Sequence, residues 1–361
     1  MTAVDPHPAV STQLIVDVDV HCAPRSLRDL EPYLNPYWME YARGAEIDLS
    51  PSFVGAYPPA AATSATTEAR AAGTFPPDRV DALRAQLLDR RDDGVSILTC
   101  TTPFATNRNP YYEAAIASAV NDWIRTEWLD RDDRLRGSLT IPTLDTDAAV
   151  KEIDRLGGDK RFVQVLLPVR GLDNRLGHVR FRKALAAAAR HDLVVGLHAW
   201  GRIGSSPTPT GFTHTYLEDY LTNSQVVAQA QLVSLITEGV FDVIPDLRVA
   251  LLECGFSWIP ALMWRFDKDW KGVWREVPWM LHKPSDYLYR HFRVSTQPAH
   301  LPHDPEHVRQ ALEMVRAPEL LMFASDYPHD HGDGGERLLA ALREEERSAV
   351  LAGNARDLYR I

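Results

Sequence analysis

The chain has 361 residues, of which 45% are hydrophobic and 24% are charged, as in an ordinary globular protein. Its net charge of −10 argues against nucleic acid or an anionic membrane as a partner, and no apolar run reaches the roughly 18 residues of a membrane span. The first ten residues lack an export signal, and three cysteines are too few for a disulfide framework. We therefore expect a cytoplasmic protein with one large domain or two smaller ones.

The first strand is predicted over residues 14–21, where an almost continuous apolar run carries aspartates and ends in a histidine. Residues two apart in a strand point to the same side, so Asp19 and His21 project together. A carboxylate and an imidazole from one buried strand suit a divalent metal such as zinc. The alternative is a hydrogen-bonded aspartate beside a surface histidine.

A long insertion follows over residues 23–77. Its first part predicts a few helical turns, and its second part is rich in proline, alanine, threonine and glycine without periodicity. Loops of this length in a compact domain are usually functional or disordered. We interpret the insertion as a lid over the end of strand 1, with a mobile surface segment as the alternative.

From residue 78 onward, helical and strand patterns alternate regularly. The predicted strands are 14–21, 95–101, 135–142, 162–167, 193–198, 248–253, 292–296 and 320–325. The predicted helices are 78–91, 110–129, 145–156, 181–191, 217–241, 259–273, 305–315, 336–343 and 345–359. Eight strands, each followed by helix, predict an α/β fold, a (β/α)8 TIM barrel forming one domain over 1–361. The absence of a GxGxxG or P-loop motif disfavours a nucleotide-binding sheet.

Ionisable residues stand at the ends of several predicted strands. His198 ends strand 5, Glu253 ends strand 6, and Asp326 ends strand 8 with His329 close behind. The C-terminal ends of barrel strands meet on one face, where such enzymes place their chemistry. Burying several such groups costs several kcal/mol each unless a partner compensates, and a metal ion is one such partner. A purely structural polar network is the alternative.

These motifs carry a family resemblance. The segments VDVDVH, LHAW, VIPDLRVALLECGFSWIPALMWRFD, FASDYPHDHGD and GNARDLYRI together resemble the amidohydrolase superfamily. More narrowly, they resemble the amidohydrolase 2 family, which contains metal-dependent hydrolases and decarboxylases related to aminocarboxymuconate-semialdehyde decarboxylase. The resemblance implies four metal ligands: Asp19, His21, His198 and Asp326.

The chain departs from the family pattern at strand 6. Many members have a histidine there, whereas this chain has Glu253 and Cys254, and the predicted strand 4 lacks the lysine of two-metal members. We therefore expect one divalent metal, zinc or alternatively manganese. The resemblance implies that Asp326 transfers a proton, and Glu253 or His329 is the candidate to take over the role of the missing histidine. A salt bridge to an arginine at the barrel rim is the alternative for Glu253.

Three further residues are candidates for substrate binding. Arg170 and Arg202, after strands 4 and 5, are able to pair with a substrate carboxylate. Trp200 follows His198 directly and would line the pocket. Surface salt bridges and a packed rim aromatic are the alternatives. Tryptophans crowd the region after strand 6, which suggests a subunit interface, a lid contact or packing of the helix layer; family likeness favours a homodimer.

Two reactions fit the predicted ligands. The first is hydrolysis of an amide, lactone or ester of a small molecule by a metal-activated water, with Asp326 taking the proton. The second is non-oxidative decarboxylation of an aromatic or unsaturated acid. Because the strand 6 histidine is prominent in the decarboxylases, its absence favours hydrolysis. A third reading is a non-catalytic barrel used for binding.

Overall fold

The computed structural model describes residues 14–47, 65–66, 69, 77–91, 94–101, 108–201, 211, 214–221 and 225–361. One sheet of eight parallel strands follows the order of the chain. Its strands are β1 Ile15–His21, β2 Gly94–Thr99, β3 Leu135–Thr140, β4 Phe162–Arg170, β5 Val194–Gly201, β6 Val249–Leu252, β7 Phe292–Ser295 and β8 Leu321–Met322.

Backbone hydrogen bonds join the first strand to the chain around and beyond the last one. The Val18 N–H donates to the Phe323 carbonyl over 3.1 Å, and the His21 N–H donates to the Tyr327 carbonyl over 2.8 Å. These bonds bring the two edges of the sheet together. The predicted (β/α)8 TIM barrel is therefore confirmed.

Helices separate the strands and form the outer layer. They are α1 Pro36–Gly44, α2 Val80–Gln86, α3 Pro110–Ile124, α4 Thr146–Leu156, α5 Arg182–Arg190, α6 Tyr216–Leu221, α7 Val227–Thr237, α8 Val240–Val243, α9 Ile259–Val273, α10 Pro284–His291, α11 Pro305–Met314, α12 Ala317–Leu320, α13 Gly334–Ala341, α14 Glu344–Ser348 and α15 Asn354–Tyr359. Asp145 caps α4 by accepting hydrogen bonds from the backbone of its first turn. Among the described residues, no helix combines the length and apolarity needed to cross a membrane.

The core lies inside the barrel and between the strands and the helices. Every residue of β4 except Arg170 is buried, as expected of a strand covered on both faces. A polar layer inside the barrel is hydrogen-bonded: Gln164 donates to the Ser138 hydroxyl over 2.6 Å and accepts from the Tyr359 hydroxyl over 3.0 Å. The barrel interior is therefore filled with side chains, and the candidate reactive residues lie at the strand ends.

The helical segment predicted over 217–241 is interrupted in the structure. Helix α7 ends before Gly239, which adopts a left-handed backbone with φ of +66°, and α8 begins at the next residue. Glycine adopts this conformation without the steric cost of a Cβ, which explains the break. Strand β8 is likewise shorter than the predicted 320–325, since only two of its residues pair with β7.

Only part of the predicted insertion 23–77 falls within the described residues. A short 3-10 helix at Leu27–Leu30 and helix α1 supply the predicted helical turns. Farther along, Ala65 forms an isolated antiparallel bridge with His329, and the Thr66 N–H donates to the Pro328 carbonyl over 2.9 Å. Most of the proline- and alanine-rich stretch assigned to the lid lies outside the described residues.

Candidate metal centre

The four predicted metal ligands come together at one end of the barrel. Asp19 and His21 lie on β1, His198 lies on β5, and Asp326 follows β8 by four residues. All four are buried, and the two aspartates have no exposed surface. One ligand atom from each residue lies within 4.8 Å of the others. Residues from two strands and from the loop after β8 thus lie around a single point.

Several polar atoms of this group are in contact, but one carboxylate oxygen has no hydrogen bond. His21 Nε2 lies 2.8 Å from Asp326 Oδ1, and His198 Nε2 lies 3.3 Å from Asp19 Oδ2. The Thr99 hydroxyl donates to Asp19 Oδ1 over 2.5 Å. Asp19 Oδ2 has no hydrogen-bond partner within the described part of the chain. A buried carboxylate oxygen of this kind, facing imidazole nitrogens, fits a divalent cation.

The ionisable groups at this end shift one another's pKa values. Burial lowers the pKa of His198, but the charges of Asp19, Glu253 and Asp326 outweigh it and raise this pKa to about 9. Burial also opposes the effect of Asp326 on His329, whose pKa rises to about 9. Positive charge is thus favoured here, which is the property that a cation site requires.

The pKa values of two carboxyl groups at this end shift in opposite directions. Burial raises the pKa of Asp326, yet the adjacent histidines outweigh it and hold this pKa well below its usual range. Burial and the charge of Asp326 raise the pKa of Glu253. Two carboxyl groups with pKa values pushed apart are a common arrangement where one side chain binds a cation and another carries a proton.

The backbone at two strand ends is unusual. Glu253 and Asp326 have φ angles of +57° and +54°, in the left-handed region that non-glycine residues seldom adopt. Each such residue costs on the order of 1–3 kcal/mol and persists because its surroundings hold it. One restraint is visible at Glu253, whose N–H donates to the Ser295 hydroxyl over 3.0 Å. These turns place both carboxylates at the same rim.

Glu253 and His329, predicted as proton carriers, lie beside the four ligands. Glu253 Oε2 is 3.5 Å from His198 Nε2, and no arginine among the described residues pairs with it. His329 Nδ1 is 3.2 Å from Asp326 Oδ2, and its ring centroid is 4.7 Å from that of His21. Their positions agree with a role at the site, and their catalytic roles remain predictions.

Two residues at the centre were not assigned a role from the sequence. His331 Nε2 lies 2.5 Å from Asp326 Oδ2, and Thr99 is the hydroxyl donor to Asp19. The signal for His331 is a second histidine two residues after His329. The signal for Thr99 is its place at the end of β2, opposite His21 in the strand register.

The structure describes only some of the predicted substrate-binding residues. Arg170 is the last residue of β4 and is partly buried, so it lies at the same end of the barrel as the ligands. Arg202 and the side chain of Trp200 lie outside what the structure describes. Their proposed contacts with substrate remain predictions.

Comparison with known proteins gives relatives whose reaction is named. The chain is 26% identical over 302 residues to gamma-resorcylate decarboxylase from Rhodococcus jostii (strain RHA1), covering 77% of this chain and 87% of the relative. Among solved structures, 5-carboxyvanillate decarboxylase from Sphingomonas paucimobilis has a TM-score of 0.69 at 20% identity, covering 97% of this chain and 99% of that one. A dihydroxybenzoic acid decarboxylase from Polaromonas sp. JS666, solved with bound manganese and 2-nitroresorcinol, has a TM-score of 0.66 at 17% identity and covers 96% of each chain.

These relatives correct the expected reaction. Hydrolysis, favoured above because strand 6 lacks a histidine, is wrong: the related proteins are decarboxylases. The inference failed for a physical reason. The ligand set serves both reactions, so the residue at the end of strand 6, here Glu253, does not decide between them.

The family itself follows from the whole length of the barrel. The family model described as Amidohydrolase, Amidohydro_2, matches residues 16–361, from the first strand to the last helix. This span contains every ligand and every neighbouring ionisable group described above. The chain is an enzyme of the amidohydrolase superfamily and belongs to the amidohydrolase 2 family.

Proposed function

We propose that the protein is a metal-dependent, non-oxidative decarboxylase that releases carbon dioxide from a small hydroxylated aromatic acid. The observation that carries this proposal is the convergence of Asp19, His21, His198 and Asp326 on one buried point. The similarity to gamma-resorcylate decarboxylase supports the reaction class. Hydroxybenzoates are the substrate class that the names of the relatives support.

The same four residues would hold the cation. Two carboxylates and two imidazoles form an oxygen and nitrogen ligand set that suits both zinc and manganese. Zinc is the metal expected from the sequence, while the manganese in the Polaromonas structure supports the other choice. When bound, the cation would supply a Lewis acid that anchors the carboxylate and a neighbouring hydroxyl oxygen of the substrate.

The residues of this chain would supply the proton. Decarboxylation requires the ring carbon that bears the carboxylate to gain a proton, after which the carbon–carbon bond breaks and its electrons return to the ring. We assign that transfer to Asp326, whose carboxylate contacts His21, His329 and His331. His329 Nδ1 lies 3.2 Å from Asp326 Oδ2, close enough to return a proton to it, while Glu253 lies within 4.8 Å. Arg170, Trp200 and Arg202 would orient the acid.

The test is direct. The purified protein is loaded with manganese or zinc and incubated with 2,6-dihydroxybenzoate and with 5-carboxyvanillate, and carbon dioxide and the phenolic product are measured. Reaction in D2O should place one deuterium on the vacated ring carbon. Chelation should abolish turnover, and returning the metal should restore it. Failure of every hydroxybenzoate in a broader panel to release carbon dioxide would falsify the proposal.

A homodimer is proposed from family likeness, with the apolar surface near α9 as its site. Trp264, Trp274, Trp279 and Leu281 are all exposed there. Light scattering should give twice the mass of the 40.5 kDa chain. Trp264→Ser should shift the population towards monomer if this surface is the contact, and a monomeric wild-type protein would contradict the proposal. The cytoplasmic location expected from the sequence also remains a prediction.

A further inference from the structure

A second group of metal-ligating side chains overlaps the first one. It consists of Glu253 at the end of β6, His329 and His331 on the loop after β8, and Asp326. One ligand atom from each residue lies within 4.8 Å of the others. Asp326 alone belongs to both groups. Its two oxygens face different neighbours, since Oδ1 contacts His21 while Oδ2 contacts His329 and His331.

Two members of this group have polar atoms without hydrogen bonds. The Glu253 side chain is 9% exposed, and its carboxylate makes no hydrogen bond to a described residue; its contact with His198 Nε2 is 3.5 Å long. The His331 side chain is 4% exposed, and its Nδ1 has no partner within the described ranges. A cation between these residues would give the mostly buried Glu253 carboxylate a charged partner.

Three buried carboxylates, those of Asp19, Glu253 and Asp326, lie around the same point. One divalent cation would balance two of these negative charges, and the third requires either a proton or a second cation. Glu253 stands at the end of strand 6, where many amidohydrolase 2 members have a histidine.

We propose that Glu253, His329 and His331, together with Asp326, bind a second divalent cation, with Asp326 shared between the two. The oxygen and nitrogen ligand set suits manganese, iron or zinc. Two metals that share a ligand typically lie about 3.5–4 Å apart in enzymes. The single metal expected above rested on the missing strand 4 lysine and strand 6 histidine. The second group needs no strand 4 lysine, and it has Glu253 at the strand 6 position in place of a histidine.

The test counts metal ions. The full-length protein is stripped with a chelator, equilibrated with a graded excess of Mn²⁺ and passed through a desalting column. Bound manganese is then measured by elemental analysis. Saturation at two ions per chain is expected, together with the electron paramagnetic resonance signature of a magnetically coupled manganese pair. Saturation at one ion per chain, with an uncoupled spectrum, would overturn the proposal. Glu253 would then be neutralised by a proton.

Variants assign each ion to its ligands. Glu253→Gln and His331→Ala should each lower the count from two to one and abolish the coupled signal. His198→Ala should also leave one ion, retained through the second group. Asp333→Asn, an exposed acidic neighbour with 74% of its side chain accessible, is the matched control and should keep two. Thermal melts confirm folding of each variant, and two ions retained in folded Glu253→Gln would reject the assignment.

This inference goes beyond the proposed reaction, and the two fail separately. A second ion would occupy the proton carriers Glu253 and His329, so we expect the reaction to use the protein that holds the first ion alone. Two ions bound at saturation, with no carbon dioxide from any hydroxybenzoate at either metal loading, would reject the reaction and keep the second site. One bound ion with rapid carbon dioxide release would keep the reaction and reject the second site.

Discussion

Two buried aspartates on β1 have opposite surroundings, although they are two residues apart. Asp17 receives Arg91 Nη1 on Oδ2 over 2.6 Å and the Ser325 N–H on Oδ1 over 2.9 Å. Asp19 faces the Thr99 hydroxyl and the imidazoles of His21 and His198, and the described residues place no arginine on it. The first carboxylate is neutralised by the protein itself. The second has only a hydroxyl and imidazoles beside it among the described residues, and one of its oxygens is available to a cation.

The helix layer repeats the first arrangement. Glu113 accepts hydrogen bonds from the Thr143 hydroxyl over 2.8 Å and from the Leu144 N–H over 2.9 Å. Glu152 accepts from Asn121 and is paired with Arg155 over 2.8 Å. Both oxygens of each of these two buried carboxylates therefore have protein donors. This contrast separates carboxylates that stabilise the fold from those that bind a cation, and it can be tested.

The largest effect is expected at Asp326. Asp326→Asn keeps the size of the side chain but removes its charge and its ability to transfer a proton. Carbon dioxide release should fall by roughly 10²- to 10⁴-fold, the usual contribution of a positioned acid or base. Steady-state assays of the protein that holds the first ion alone measure the loss. The control Asp333→Asn should retain activity. Activity within threefold of wild type in Asp326→Asn would place the proton donor elsewhere.

Arg91→Met should affect stability instead of metal binding. It removes the cation that neutralises buried Asp17, and breaking a buried ion pair costs about 3–5 kcal/mol. Arg91 is 22% exposed, which places the expected loss near the lower end, at about 3 kcal/mol. Urea unfolding measures it. The double variant Asp17→Asn with Arg91→Met should recover part of the loss, because the unpaired charge is gone. Loss of bound metal in folded Arg91→Met would erase the contrast between the two aspartates.

Metal removal should affect the other aspartate. Saturating metal at about 100 times its dissociation constant stabilises a folded protein by about 2.7 kcal/mol. We expect each bound ion to give this increment in the wild type and in Arg91→Met, and the increment of the ion held by Asp19 to be absent in Asp19→Asn. Unfolding curves recorded with and without chelator give the increment for each protein. A full increment in Asp19→Asn would show that the cation is held without this residue.

The smallest effect is expected at Thr99, which holds Asp19 without belonging to the ligand set. Thr99→Val keeps the shape but removes the hydroxyl that donates to Asp19 Oδ1. Residues that orient metal ligands typically contribute about 10- to 100-fold to affinity, and we expect the lower value. Isothermal titration with Mn²⁺ measures the change. Thr99→Ser should bind like the wild type, and equal affinity in Thr99→Val would remove Thr99 from the site.

Much of this arrangement was predictable from local sequence. Asp19 and His21 stand in an apolar strand where charge is conspicuous, and His198 and Asp326 end strands whose barrel positions follow from the regular alternation of elements. His331 was not predictable, because its contact with Asp326 depends on the left-handed turn at that residue. Thr99 depends on the register between β1 and β2. The first depends on a local turn whose conformation the residue types do not specify, and the second depends on strand pairing between distant parts of the chain.

The contact between His21 and Asp326 joins residues 305 positions apart, near the two ends of the chain. During synthesis, Asp19 and His21 therefore appear long before Asp326, and the centre is completed only after the last strand has been made. Contacts between distant residues require closure of a long loop before they stabilise the fold. A cation bound by both residues would hold the first strand to the segment after the last strand and so stabilise the closed barrel. Metal uptake would then mark the completion of folding.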